Sequence, residues 1–281
     1  MPLALLFLLL CLCACANPLK VLPQEPGTLR VAACQILVDG DREGALVRID
    51  HALAMAREQG AQIAVFPEAC LFGWVNPAAH AAADPIPGAT TEYLGRLARK
   101  HRIMLVVGLA ERAGEHLHNA VVLIDRDGTL LLKHRKLNIL SELMSPPYVP
   151  GESAVNSVVE TRYGRIGLLI CADTFQEESV AELASAAPDL VLVPYGWAAP
   201  KQDWPEHGKS LHAWIAATAR RTKAPVLGVD SVGEIVTGPW KGYPLGGQSA
   251  FSNALGELSL PMADRRPEVR VFSVLGLGCV R

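Results

Sequence analysis

The feature that most constrains this chain is a short apolar run that ends at a cysteine. Residues 166–170 are isoleucine, leucine or glycine without a polar interruption, and the turn-like Tyr163-Gly164 precedes them. A run of this kind predicts a strand that is covered on both faces. Cys171 follows at the carboxyl end of that strand, where open α/β sheets gather their reactive groups. The thiol is therefore either a nucleophile or a small buried apolar residue.

The composition indicates one large globular domain, or at most two small ones. The chain has 281 residues, of which 50% are hydrophobic and 19% charged, with a formal net charge of −2. This balance gives no reason to expect nucleic acid or an anionic surface as partner. No pair of cysteines has the CxxC spacing of a zinc site, so no metal is predicted from the seven cysteines, Cys11, Cys13, Cys15, Cys34, Cys70, Cys171 and Cys279.

The amino-terminal stretch is the compositional outlier. Leu3 to Leu12 is an unbroken apolar run, too short to span a bilayer and typical of a signal-peptide core. We predict a signal peptide over residues 1–16, a proline-bearing linker over 17–27 and the folded domain over 28–281. Cys13-Ala14-Cys15 after Leu12 resembles a bacterial lipobox, which predicts an exported protein with a lipid anchor on Cys15. The alternatives are cleavage with free release, a mis-called start codon in a cytoplasmic protein, or an apolar tail that packs on the domain.

The rest of the chain reads as two halves of alternating strands and helices with no linker between them. Asp127-Gly128 predicts a hairpin between the strands Leu117 to Ile124 and Thr129 to Leu132. Residues 133–152 are predicted to be irregular. The other predicted strands are 29–36, 62–66, 103–109, 190–193, 225–229, 248–251, 257–260 and 269–274, and the predicted helices are 42–59, 91–101, 176–186 and 209–223.

Three chemically active side chains follow predicted strands. Glu68 follows the strand 62–66, Lys136 follows the hairpin, and Cys171 ends its own strand. Their surroundings, VFPEAC, LHNAVVLIDRDGTLLLKHRKL and GRIGLLICADTF, resemble the carbon–nitrogen hydrolase family (the nitrilase superfamily) in the order that the family has them. LVLVPYGWA and GGQSAFSNALGEL are weaker matches. The resemblance extends over the whole chain after the leader.

The resemblance implies a fold, a catalytic triad and an assembly. The fold is of the α/β class, a four-layer α-β-β-α sandwich, and members pair into homodimers or larger homo-oligomers. Glu68 would be the general base, Lys136 the electrostatic stabiliser and Cys171 the nucleophile, with the backbone N–H of Ala172 as a second oxyanion donor. No cofactor is implied, because the thiolate and the carboxylate handle the acyl group and the protons.

Further residues are candidates for the substrate site. By resemblance, a second glutamate after the lysine positions the substrate; Glu142 is the first candidate and Glu152 the alternative. Tyr195 and Trp197, which follow the strand 190–193, are expected to form pocket walls. Asp173 is expected to orient the turn after the nucleophile. A thiolate–imidazole pair between Cys171 and His134 or His212 is a competing arrangement, but neither histidine lies in a strand-end motif.

These observations favour an enzyme that hydrolyses a small carbon–nitrogen substrate, first of all an amide, through a thioester on Cys171. A nitrilase and an acyltransferase to an amine are the alternatives within the family. A catalytically silent binding lipoprotein is the alternative from another class, and the intact Glu68, Lys136 and Cys171 argue against it. The sequence does not identify the substrate, whose recognition is expected in the loops 74–80, 137–150, 197–204 and 237–246.

Overall fold

Residues 27–277 are described by a computed structural model of the chain. The predicted signal peptide, the lipobox and all but the last residue of the predicted linker lie outside these residues, as does Cys279. Within residues 27–277, no helix is both long and apolar enough to cross a lipid bilayer.

A six-stranded sheet forms around three parallel strands in its middle. These are β1 (Thr28–Gln35), β3 (Ile63–Val65) and β4 (Met104–Ala113), which are separated in sequence by helices. Antiparallel strands extend the sheet on both sides, so that the order is β14-β1-β3-β4-β5-β6 with β5 (His116–Ile124), β6 (Leu130–Arg135) and β14 (Glu268–Leu275). The hairpin β5–β6 is the one that Asp127-Gly128 predicts.

A five-stranded sheet carries the cysteine strand. Its order is β13-β10-β9-β8-β7, made of β7 (Val158–Thr161), β8 (Gly164–Leu168), β9 (Leu190–Pro194), β10 (Val226–Val229) and β13 (Ala250–Ser252). The strands β8, β9 and β10 are parallel, as expected of apolar runs that are buried on both faces. A small third sheet joins β2 (Leu37–Val38), β11 (Val232–Glu234) and β12 (Pro244–Gly246).

The helices cover the outer faces of the two large sheets. Leu53 of α1 (Arg42–Glu58) and Leu94 of α3 (Ala89–His101) share one buried cluster with Leu105 of β4. The next residue of β4, Val106, belongs to a second cluster with Leu192 of β9, and with residues of α4 (Glu177–Ser185) and α5 (Gly208–Thr222). Alternate residues of one strand thus face a helix layer and the other sheet. The predicted four-layer α-β-β-α sandwich is confirmed. A short helix, α2 (Ala79–Ala82), lies outside these layers.

The predicted elements need three corrections. Lys133 to Arg135 belong to β6 and are not irregular. Residues 257–260 form no strand beyond a single bridge between Ser252 and Leu258, and Leu258 and Leu260 are exposed, so this apolar pattern does not mark a buried strand. The short strands β2, β7, β11 and β12 were not predicted.

Candidate active site

Glu68 is held by a turn that packs directly on the neighbouring strand. Phe66 N–H donates to Val106 O at 2.8 Å, and Glu68 N–H donates to Tyr195 O at 3.2 Å. Gly108 of β4 lies beneath this turn, and a methyl group there would come within 2.6 Å of Glu68 Cα. The turn therefore requires a glycine on β4, and the carboxylate enters the molecule between the two sheets, where its residue is 1% exposed.

The carboxylate of Glu68 receives two charge-assisted hydrogen bonds on one oxygen. Lys136 Nζ and Asn119 Nδ2 each donate to Oε1 at 2.6 Å. Lys136 N–H also donates to Asn119 O at 2.8 Å, so β5 fixes the backbone of the lysine as well as its partner. The other oxygen, Oε2, receives no N–H or O–H hydrogen bond from the described residues and faces Gly196. It is the carboxylate oxygen that remains available for proton transfer.

Cys171 lies in a turn with an unusual backbone conformation. Its φ is +43°, in the left-handed region that residues other than glycine rarely adopt. Asp173 anchors this turn through both of its carboxylate oxygens. Its Oδ2 accepts from Ile170 N–H at 3.0 Å, and its Oδ1 accepts from Leu137 N–H at 2.8 Å. Asp173 thereby joins the nucleophile turn to the segment that follows Lys136, in keeping with its predicted orienting role.

The two histidines of the competing dyad have other partners. His134 Nε2 lies 2.9 Å from Asp173 Oδ2, and His134 Nδ1 lies 2.6 Å from the hydroxyl of Ser157. His212 Nε2 lies 2.8 Å from Gln248 O. His134 therefore supports the aspartate behind the nucleophile, and the geometry gives no thiolate–imidazole pair at Cys171.

Burial and the neighbouring charges set the protonation states of Lys136 and Cys171. Burial acts to lower the pKa of Lys136, but the negative charge of Glu68 and the hydrogen bond to it outweigh burial and raise that pKa above its usual value. Burial and the charge of Glu68 raise the pKa of the Cys171 thiol, against the opposing effects of Lys136 and of the Gly196 N–H. The site at rest therefore contains an ammonium group and a protonated thiol.

A small cavity opens onto these groups. Its volume is about 130 Å³ and it is lined by Trp74, Lys136, Leu140, Cys171, Ala172, Phe175, Gly196, Trp197, Ala198, His207 and Trp240. Cys171, Lys136, Ala172 and Trp197 are thus brought together as predicted from the sequence. The cavity is too small for a bulky substrate and lies at the carboxyl ends of the strands, as open sheets predict.

This cavity is lined neither by Glu68, which contacts Lys136 behind it, nor by three residues that were expected in the substrate site. Tyr195 is fully buried behind it, with its hydroxyl 3.2 Å from that of Thr174. Glu142 lies on an exposed 3-10 turn (Ser141–Leu143), and Glu152 lines a separate surface depression next to Gln176 and Glu182. The expected second glutamate is therefore corrected: neither candidate lines the pocket, because the chain after Lys136 turns both side chains outward.

The structure adds residues that sequence reasoning missed. Asn119, which donates to Glu68, lies within the apolar strand pattern LHNAVVLI. Its position in that motif was the one sequence feature that could have marked it as a site residue. Asp230 follows β10; it is fully buried, accepts Trp197 N–H at 2.7 Å on Oδ1, and its pKa is raised by burial. It fixes the loop that carries Gly196 and Trp197. Trp74 and Trp240 lie in the loops 74–80 and 237–246, where substrate recognition was expected, but neither tryptophan was singled out from the sequence. In the described part of the chain, no three His, Cys, Asp or Glu side chains are grouped as a metal site.

Comparisons with known proteins identify relatives of this chain. The family model of carbon–nitrogen hydrolases matches residues 30–270. A nitrilase of Paraburkholderia phymatum is 33% identical over 159 residues, which are 51% of this chain and 46% of the relative. An omega-amidase of Bos taurus is 31% identical over 180 residues, which are 59% of this chain and 63% of the relative. The chain thus spans less than two thirds of the length of these relatives.

Solved structures also resemble the fold. The crystal structure of an amidase from Nesterenkonia sp. superposes with a TM-score of 0.76 at 25% identity, covering 92% of this chain and 94% of the amidase. A mutant of that amidase shows covalent addition of the acetamide moiety of fluoroacetamide at its active-site cysteine.

Proposed function

The chain belongs to the carbon–nitrogen hydrolase family, and from this premise we propose that it hydrolyses small amides through a thioester on Cys171. The observation that carries the proposal is that Lys136 and Cys171 line one pocket and that Glu68 contacts Lys136 behind it. Lys136 Nζ contacts Glu68 Oε1 at 2.6 Å, and Lys136 and Cys171 both line the cavity. The similarity to an amidase over most of its length supports an amide as substrate.

Acylation begins from the protonated thiol. Glu68 accepts the proton of Cys171 on Oε2, the oxygen without other N–H or O–H donors. The sulfur attacks the amide carbon, and the electron pair of the C=O bond moves to the oxygen. The ammonium of Lys136 and the N–H of Ala172 stabilise this oxyanion, and one such donor is typically worth about 3 kcal/mol.

Release of the products returns every group to its starting state. Glu68 gives its proton to the leaving nitrogen, and the C–N bond breaks to leave ammonia and the thioester. A water molecule then attacks the thioester while Glu68 accepts one of its protons. The second tetrahedral intermediate expels the sulfur, which regains the proton from Glu68, and the carboxylic acid leaves.

The test is single-turnover mass spectrometry with a panel of short amides. We expect a transient mass increase of one acyl group, located on Cys171 by peptide mapping and absent from Cys171→Ala. Glu68→Gln should slow both formation and decay of this species, since the same carboxylate serves both steps. A folded protein that gains no acyl mass from any amide or nitrile would instead be a binding protein.

A nitrile is the second candidate substrate, because one relative is a nitrilase. Attack of Cys171 on the nitrile carbon gives a thioimidate, and addition of water with loss of ammonia gives the same thioester. Short nitriles in the same panel distinguish the two substrates. An added amine distinguishes hydrolysis from acyl transfer, since a transferase would form the amine's amide faster than the free acid.

We further propose that the protein is an exported lipoprotein and a homodimer. The leader supports export, and the multiple acyl chains of a bacterial lipoprotein would give Cys15 stable anchoring, which a single chain does not give. Cys15→Ala should move the protein from the membrane to the soluble exported fraction, or leave the leader uncut. A cytoplasmic protein with an unmodified Met1 would refute export, and a sedimentation mass of one chain would refute the dimer.

A further inference from the structure

The walls of the catalytic pocket are aromatic rings that contact one another. Trp74 meets Trp240 edge to face with ring centroids 5.6 Å apart. Phe175 meets Trp197 at 5.4 Å, and Trp197 stacks on His207 at 5.3 Å. Rings that are packed in this way form a rigid apolar surface. The part of a substrate that enters this space is surrounded mainly by carbon.

The described residues that line the pocket offer no free positive charge. Among the described residues that line it, Lys136 carries the one ammonium or guanidinium group, and that group is paired with Glu68. His207 also lines the pocket, but burial lowers its pKa, against a weaker opposing effect of Asp203. At neutral pH its ring is therefore uncharged. A carboxylate on the acyl group of a substrate would lose its water without gaining a partner, which is strongly unfavourable.

The volume of the pocket also limits the length of the acyl group. A cavity of about 130 Å³ is slightly smaller than a cavity of about 150 Å³ that holds benzene, a molecule of about six non-hydrogen atoms. This is the size of an acyl group with about six non-hydrogen atoms, such as pentanoyl. Longer chains must pass the outer end of the aromatic wall.

Trp240 forms that outer end. Trp74 is buried and lies against Lys136, whose Nζ is 5.4 Å from its ring centroid, whereas Trp240, which contacts Trp74 edge to face, is half-buried. The loop that carries Trp240 is closed by backbone bonds, from Ile235 N–H to Tyr243 O at 2.9 Å and from Gly242 N–H to Ile235 O at 2.8 Å. Trp240 also stacks on Tyr243. Its ring is therefore a fixed wall.

From these observations we propose that the acyl group of the substrate is short and uncharged, and that Trp240 sets its maximum length. This inference rests on the proposed function, since it concerns the amide that acylates Cys171. It separates this chain's substrates from amides that carry a second carboxylate at the far end of the acyl group.

The charge requirement is tested with two amides of matched shape. Succinamate and 4-oxopentanamide have the same number of non-hydrogen atoms, but only succinamate carries a carboxylate. We expect kcat/KM to be at least about a hundredfold higher for 4-oxopentanamide, a difference of about 2.7 kcal/mol. Trp240→Arg should raise the succinamate rate relative to the neutral amide at least tenfold. Equal rates for the two amides in the unmodified protein would overturn the proposal.

The length limit is tested with acetamide, butyramide, pentanamide and octanamide. We expect a fall in kcat/KM beyond pentanamide, and at least a tenfold gain for octanamide relative to butyramide in Trp240→Ala. Lys241→Ala is the matched control, because its side chain is exposed on the same loop and does not line the pocket. An unchanged length profile in Trp240→Ala and Trp240→Leu would overturn the role of Trp240.

A binding measurement separates failure of this inference from failure of the proposed function. Three tryptophans line the pocket, so bound amide changes the fluorescence of the Cys171→Ala protein. Tighter binding of 4-oxopentanamide than of succinamate supports the inference even if no amide is hydrolysed. Equal or preferred binding of succinamate overturns it, whatever the catalytic result.

Discussion

Replacing Glu68 with glutamine should reverse the response of the protein's stability to alkaline pH. The pKa of Lys136 is subject first to burial, which lowers it, and then to Glu68, which raises it above the usual value. A folded-state pKa above the unfolded one gives stability that is complete below about pH 10.4 and lost as the pH rises further. Without Glu68, burial dominates and the folded-state pKa falls below the unfolded one. Stability should then increase with pH between the two values.

The expected magnitude follows from the burial of the pair. The Lys136 and Glu68 side chains are 1% and 0% exposed, and removal of one partner of a buried ion pair typically costs about 3–5 kcal/mol. For a domain of this size that cost corresponds to a fall in Tm of roughly 6–20 °C at neutral pH. Between pH 7 and 10 the recovery is at most about 4 kcal/mol, the value of three pKa units.

The assay is thermal or urea unfolding at several pH values in a Cys171→Ala background, which removes the titration of the nucleophile itself. The single variant and Cys171→Ala/Glu68→Gln share all other buried thiols and phenols. Burial and also the charge of Glu68 raise the pKa of the Tyr148 phenol, so the difference between the pH slopes of the two variants is taken below about pH 10, where it reports the titration of Lys136. Glu111→Gln is the matched control. Its partners Lys133 and Arg135 are 28% and 34% exposed, so water can hydrate both charges when Glu111 is replaced. The stability of this variant should therefore not increase with pH. Parallel slopes with and without Glu68 would refute the reasoning.

Three other predictions concern the same site. Asn119→Ala should lower kcat/KM about tenfold to a hundredfold, because hydrogen bonds to charged groups are worth about 1.5–3 kcal/mol; initial rates with a short amide measure this, and an unchanged rate would remove Asn119 from the site. Gly108→Ala should lower both Tm and kcat, since the added methyl would lie 2.4 Å from Pro67 O; full activity would show that the Glu68 turn tolerates displacement. Glu68→Gln should let the ultraviolet thiolate absorbance of Cys171 appear at a lower pH, because the charge of Glu68 is one cause of the raised thiol pKa; an unchanged or higher midpoint would contradict this cause.

The sequence predicted the parts of the site that depend on strand ends. Glu68, Lys136 and Cys171 follow β3, β6 and β8. The ends of these strands meet where the two large sheets pack together, although β4 and β5 separate β3 from β6 and β8 belongs to the other sheet. The structure indeed places Glu68 and Lys136 in contact although they are 68 residues apart. For these residues the local pattern is enough, because a strand fixes both the position and the direction of the residue that follows it.

The remaining residues depend on how loops fold, which local patterns do not determine. Glu142 has the right type and an approximate spacing, but its 3-10 turn directs it to solvent. Asn119 is a polar residue in an apolar strand. Its hydrogen bond to Glu68 forms only because β5 lies beside Lys136 in the folded protein. Trp74 and Trp240 come from segments 166 residues apart and meet only through the packing of two loops. Long-range contacts of this kind carry no periodic signal.

The charge balance of the pocket links the mechanism to its substrates. Lys136 carries a positive charge in a nearly dry site, and its neighbour at rest is the carboxylate of Glu68. When Glu68 accepts the thiol proton, the negative charge passes to the sulfur of Cys171, and after attack it passes to the oxyanion. In the proposed reaction Lys136 therefore faces one negative charge at every stage, and the net charge of the buried groups does not change. An acyl group with its own carboxylate would add a second negative charge, which none of the described residues that line the pocket neutralises. The same pairing that keeps Lys136 charged thus favours an uncharged substrate.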